Sequence, residues 1–204
     1  MADIIRTVGH STRTAEEFIT LIKGYGINAL VDIRRVPFSR MCPQFNRDSL
    51  KAALRAEGIH YIPMGPELGV PAGERDLYGR YDHLDIRMVQ ESKGFRDGMK
   101  RLRKGLDDGF SIALMCAEKD PTKCHRFVFI APWLERNGIS VEHIIDTDTV
   151  IPHSELENSM IHSFFPDADA ERCQCHLDLF PGEDNSPQTY LADRLYSRLA
   201  ASFS

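Results

Sequence analysis

Long apolar runs are missing from this sequence. The longest strictly apolar stretch is Ile112–Ala117, and Phe127–Ala131 extends to Leu134 only if Pro132 is counted, against the roughly 20 residues a membrane span needs. No basic region leads into an apolar stretch at the start of the chain, so neither a membrane association nor a secretory signal is expected. Cysteines are few: five, an odd number at irregular spacing. That argues against a disulfide scaffold and for a reduced, cytoplasmic setting. Basic excess is missing too. Residues 1–146 carry 22 Lys/Arg against 20 Asp/Glu, and residues 147–204 carry 3 against 10, so the tail holds −7 and the rest +2 of the chain's net charge of −5. Such a tail repels phosphate, so no strong general nucleic-acid binding is expected and any anion site must be local. What is present is an ordinary globular composition, 42% apolar and 27% charged over 204 residues. At roughly 150 residues per domain this is one main domain with an appendage.

The periodicity alternates between strand and helix. Asp3–Gly9 reads as a first strand, and Thr14-Ala15-Glu16-Glu17 has the form of a capping box opening a helix through Phe18, Leu21 and Ile22. Asn28–Ile33 reads as a second strand, 47–57 as a helix stopped by Gly58, and His60–Pro63 as a third strand. Residues 64–92 lack a clean period and read as a lid or binding loop. Phe95–Leu106 is helical, and Ser111–Cys116 is a buried fourth strand. Asp120-Pro121 has the N-cap–N1 form of a further helix, which Pro132 should kink, and Val141–Ile145 is a fifth strand. This alternation predicts an α/β fold: a three-layer sandwich with a mainly parallel five-strand sheet over 1–146, followed by an acidic C-terminal extension over 147–204.

Ligands of open parallel sheets bind at the carboxyl ends of the strands. Four loops are expected there: Gly9–Thr12, Arg34–Arg40, Cys116–Arg126, and the stretch holding Asp146 and Asp148. Cys116 ends a strand facing a predicted helix start, where a thiolate would be stabilised and nucleophilic; packing as a small apolar residue is the plain alternative. Cys124, expected in the first turn of that helix, is a second nucleophile or a resolving partner. His10 and His125 are candidate proton carriers, with Glu118 beside them. Zinc held by Cys116, Cys124, His10 and His125 is chemically feasible but lacks paired short spacings, so no metal ligand is assigned. Ser11, Arg34, Ser39, Arg40 and Arg126 are candidate contacts for a phosphate- or nucleotide-containing small anion. Arg34 and Arg126 have internal pairing as their competing role, with Asp32 the best candidate for a buried carboxylate. No cofactor is named by these residues.

Thr7-Val8-Gly9-His10-Ser11-Thr12, Leu30–Arg34 with Pro37 and Ser39, Pro43–Asn46, and Cys116-Ala117-Glu118 through Pro121 to Cys124-His125-Arg126 resemble a prokaryotic family catalogued as domain of unknown function 488. The motifs run in order through 4–145. The resemblance implies an α/β fold and no established reaction. One departure is Val70, where the family's Leu-Gly-Gly loop has its second glycine. In the tail, His176–Phe180 resembles the short peptide that docks bacterial repair proteins on a sliding clamp, which would make the chain an adaptor in DNA metabolism with a protein partner. A latch on the chain's own domain is the competing reading. Cys173, Cys175 and His176 form a separate soft-ligand cluster.

Overall fold

The structure is a computed structural model that describes residues 3–70, 85–166 and 187–203. Six strands form one sheet in the order β3-β2-β4-β1-β5-β6, where β1 is Ile4–Gly9, β2 Ala29–Asp32, β3 His60–Pro63, β4 Ile112–Cys116, β5 Ser140–Asp146 and β6 Thr149–Pro152. The first five are parallel to their neighbours. β6 is antiparallel to β5, which corrects the five-strand expectation to a mixed six-strand sheet. The tight turn after Asp146 and a proline at the end of the segment disguised it in sequence. Pro152 is tolerated because β6 is an edge strand that needs no donor on its outer side.

Eight α-helices are found among the described residues: α1 Ala15–Gly24, α2 Arg47–Ala56, α3 Gly65–Leu68, α4 Ile86–Glu91, α5 Lys93–Asp107, α6 Ala131–Arg136, α7 His153–Phe164 and α8 Pro187–Ala200. None is long and apolar enough to cross a membrane. The capping box forms as the sequence predicts: Thr14 Oγ1 accepts from Glu17 N–H and Glu17 accepts from Thr14 N–H. Phe18 and Ile22 of α1 and Leu50 and Leu54 of α2 cover one sheet face with Val8 and Met115. Met99 and Leu102 of α5, Phe127–Leu134, Ile161 of α7 and Leu195 of α8 cover the other with Ile5 and Leu114. Part of the expected loop is ordered as α3 and α4. Val70 packs against the second cluster, and residues 71–84 lie outside the described residues.

The segment after β4 departs most from expectation. Asp120 does act as a cap, its carboxylate accepting from Thr122 N–H, but only for the 3₁₀ turn Pro121–Lys123. Cys124 is extended (φ −130°, ψ 143°), so it is not in the first turn of a helix. Arg126–Ile130 is then wound as a π-turn, with Ala131 N–H donating to the Arg126 carbonyl five residues back. The winding continues without a break from Arg126 into α6, so Pro132, which lacks an N–H, lies inside it as expected, with the π-turn just before it.

A polar chain crosses the second core. Thr7 Oγ1 meets His143 Nδ1 at 2.7 Å, His143 Nε2 meets His153 Nδ1 at 3.1 Å, and His153 Nε2 meets Tyr196 Oη at 2.8 Å. Tyr196 O–H donates to Glu157 Oε1 at 2.5 Å. Because the phenol has one proton and gives it to Glu157, His153 Nε2 must donate to Tyr196, and its Nδ1 must accept from His143 Nε2–H. Thr7 then donates to His143. Burial holds His153 down to about 3 and His143 well below its ordinary value, so both rings stay neutral. Tyr196→Phe leaves the His153 Nε2–H buried without an acceptor and is expected to cost about 1–3 kcal/mol in urea unfolding. The unfolded chain takes up protons below about 6.5 that these two folded histidines refuse, so stability is flat above that value and falls as pH drops through it. Each histidine contributes up to about 1.4 kcal/mol per pH unit, and Glu157, raised by burial, opposes one of them. Unfolding midpoints at pH 7.5 and 5.0 check the sign.

Candidate functional site

The carboxyl ends of β1 and β4 are adjacent, with Gly9 in register with Cys116. The pairing continues into the loops: His10 N–H donates to the Cys116 carbonyl and Ser11 N–H to the Ala117 carbonyl, each at 2.9 Å. Ser11 takes a positive φ of 52° to keep that contact. The approach is so close that a Cβ on Gly9 would lie 1.8 Å from the Glu118 carbonyl oxygen. Arg13 closes the edge by donating to the carbonyls of Gly9 and Ile145.

At this edge Cys116 Sγ, Cys124 Sγ and His125 Nδ1 converge within 4.8 Å of one another. His125 Nδ1 is 3.8 Å from Cys116 Sγ and 3.6 Å from Cys124 Sγ. All three side chains are buried, and His125 Nε2 has no hydrogen-bond partner among the described residues. A contact with Cys124 and then burial push the Cys116 thiol up to about 12, the reverse of the expected stabilised thiolate. Burial also pushes Cys124 up, but Cys116 and the charge and donors of Arg126 outweigh it and bring Cys124 to about 7. The strand-end position thus does not lower Cys116, because Cys124 and burial outweigh the lowering by His125.

Arg126 is 1% exposed, and its guanidinium donates to the carbonyls of Glu118 and Lys119. Its Nε has no hydrogen-bond partner and it has no carboxylate partner among the described residues. Arg34 is different. It forms a bidentate pair with Asp32, donates to the Phe45 carbonyl, and meets His10 Nε2 at 3.1 Å. One NH1 hydrogen of its five remains. Asp32 also accepts from Tyr61 O–H at 2.7 Å, and burial together with that carboxylate holds the Tyr61 phenol above its ordinary value. Asp32 is therefore the buried carboxylate the sequence pointed to, satisfied from two sides. His10 stacks on Phe45, gives its Nδ1 to the Ser11 carbonyl, and is held down to about 4, by burial first.

The structure thus brings Cys116, Cys124, His125 and Arg126 into one cluster and places His10 and Arg34 in a second network beside it. Ser11 lies at the junction. With Thr12, Arg13, Lys119 and Asp146 it lines a cavity of about 560 Å³ that does not include the cysteines. Glu118 and Arg40 are exposed, and Glu118 contributes its carbonyl inward. Ser39 organises its own loop, accepting from Cys42 N–H and donating its N–H to Asn46. Tyr61 and Phe45 were not singled out in sequence, since an aromatic in a strand or a turn has many commoner roles. Cys173, Cys175 and the clamp-like peptide His176–Phe180 lie outside the described residues.

Substituting Gly9→Ala forces β1 and the Glu118 loop apart. The expected outcome is a loss of more than about 1–3 kcal/mol, as for other overpacked sites, together with faster alkylation of Cys116 and Cys124. A variant with wild-type stability and thiol reactivity would show that the loops do not touch.

No curated protein and no solved structure matches this sequence. The family described as Domain of unknown function DUF488 matches residues 14–134, more than half of the chain. That span holds Asp32, Arg34, Cys116, Cys124, His125 and Arg126 and leaves out Gly9–Ser11, so it is narrower than the run of motifs read from the sequence. With the sheet edge built from these residues and the match covering them, the chain belongs to the DUF488 family.

Proposed function

We propose that the protein is an enzyme that binds a small phosphate- or nucleotide-containing anion at the edge where β1 and β4 end. The observation that carries this reading is Arg126: a fully buried guanidinium without a carboxylate partner among the described residues, at the carboxyl end of the sheet. Among the described residues this charge is faced by the Cys124 thiol, which it lowers, and by backbone carbonyls; a buried charge so thinly compensated is costly, so an anionic ligand is its further counterpart. Backbone carbonyls orient the group but do not neutralise it. Ser11, Arg13 and Lys119 line the adjacent cavity together with the acidic Glu16, Glu17 and Asp146, so the phosphate is assigned to the Arg126 side of Ser11 and not to the cavity floor. Cys116, Cys124 and His125 supply the reactive groups, as attacking thiolate and proton carrier or as ligands of an ion. The pairing of Arg34 with Asp32 gives that arginine a positioning role, holding His10 and the Phe45 turn.

Thermal unfolding with inorganic phosphate, a nucleoside monophosphate and the parent nucleoside tests the reading. At about 100 times the dissociation constant the phosphate-bearing ligand adds about 2.7 kcal/mol, a rise of roughly 5–10 °C for a chain of this size. The uncharged nucleoside gives none of that increment. Arg126→Lys keeps the charge and loses the fork, and binding weakens by about 10- to 100-fold, the worth of a charged hydrogen bond. Equal shifts from charged and uncharged ligands, or no shift from any, would overturn the anion site.

A further inference from the structure

We propose that Cys116, Cys124 and His125 form a three-ligand centre for a soft divalent metal ion of the zinc class, with its fourth position open to the anionic ligand. The inference rests on the reading that this sheet edge is the site, and adds the ion that performs its chemistry.

Geometry carries it. Metal–sulfur bonds of about 2.3 Å and metal–nitrogen bonds of about 2.0–2.1 Å in a tetrahedron place sulfur and nitrogen about 3.5 Å apart. The observed separations from His125 Nδ1 are 3.6 Å and 3.8 Å, and all three donor atoms lie within 4.8 Å of one another. Small shifts of side chains already facing one point would complete the triangle. Each residue is held from outside it. Cys116 is the last residue of a central strand, and Cys124 is extended between the 3₁₀ turn and the π-turn. The break in helical winding is what turns Cys124 and His125 toward Cys116, since a continuous helix would carry these consecutive residues around its axis about 100° apart.

The unpartnered nitrogen agrees with this arrangement. A metal bound at Nδ1 would put the His125 ring proton on Nε2, which is buried and without a partner among the described residues. Metal-bound histidines give that second N–H to a carbonyl, a carboxylate or a water, and a water or the ligand itself is the partner left for it here. His10, the fourth ligand considered from sequence, is excluded. Its Nδ1 is bonded to the Ser11 carbonyl and its Nε2 meets Arg34. Three protein ligands with one position free is the pattern of a reactive zinc site, whereas structural sites close with four.

Charge settles what occupies the free position. Two thiolates cancel a divalent ion, the imidazole is neutral, and Arg126 adds one positive charge beside the cluster. A single negative ligand then neutralises the site. Bound water is itself acidified at such an ion and serves when no other anion is present.

Titration of the reduced full chain with Co²⁺ alone reads the centre directly through thiolate-to-cobalt charge-transfer absorption. The expected result is one equivalent bound, with that absorption, displaced by Zn²⁺ and altered on adding inorganic phosphate. Cys124→Ser weakens binding by more than about 100-fold, beyond the loss seen for outer partners, so that one equivalent of Co²⁺ no longer gives the charge-transfer absorption. Cys42→Ser, a buried cysteine outside the triangle, folds with an unchanged spectrum and shows that loss of any one thiol is not enough. A folded, reduced wild type that gives no such absorption, or a Cys124→Ser protein that keeps it, overturns the centre. Phosphate binding to the metal-free chain that persists in either case leaves the anion site standing, so the two readings fail separately.

Discussion

The contact between β1 and β4 governs the rest of the structure. Gly9 lies against the Glu118 carbonyl with no room for a side chain, and the ladder continues past the strand ends through His10 and Ser11. This seam is where the strand order reverses: the chain runs from β1 outward to β2 and β3, then returns to insert β4 between β2 and β1. Two loops from distant parts of the sequence are thereby brought together at the sheet edge. Cys116, Cys124 and His125 stand along that seam, and the buried Arg126 locks one side of it by holding two consecutive carbonyls.

Buried charge is handled in two ways within a short distance. Arg34 is neutralised by Asp32 inside the same loop, with Tyr61 and Phe45 completing the hydrogen bonds. Such a pair is self-contained and is costly to break from one side only. Arg126 has carbonyl dipoles around it and thiols beside it. The first arginine fixes the shape of the wall, and the second leaves an electrostatic demand at the site. This difference decides which of two similar side chains is assigned to a ligand.

Much of the sheet was legible in the sequence because strands β1 to β5 are short apolar runs bounded by turn residues. The capping box at Thr14 was legible for the same local reason: all its partners lie within four residues. Asp32 was recognised as a buried carboxylate from its place in an apolar run. What could not be read has a common cause, namely that it depends on partners remote in the chain. β6 needs the edge of β5, and the extended Cys124 stands between a 3₁₀ turn and a π-turn that residue spacing does not announce. Tyr61 acquires its role only across the sheet from Asp32. The convergence of Cys116 with Cys124 and His125 depends on that same extended residue, so residue spacing alone did not disclose it.

The polar chain from Thr7 to Glu157 has a consequence for how the protein is made. Its hydrogen bonds join residues 136, 10, 43 and 39 positions apart. Thr7 belongs to β1, yet its hydroxyl is met only by His143, and His153 only by Tyr196 of α8, both made much later in the chain. β1 is also one of the two central strands, and both its neighbours are made later. Long-range pairing of this kind slows folding and exposes strand edges meanwhile. The nascent chain must therefore carry an incomplete core, with unmet imidazoles inside it, until α8 packs.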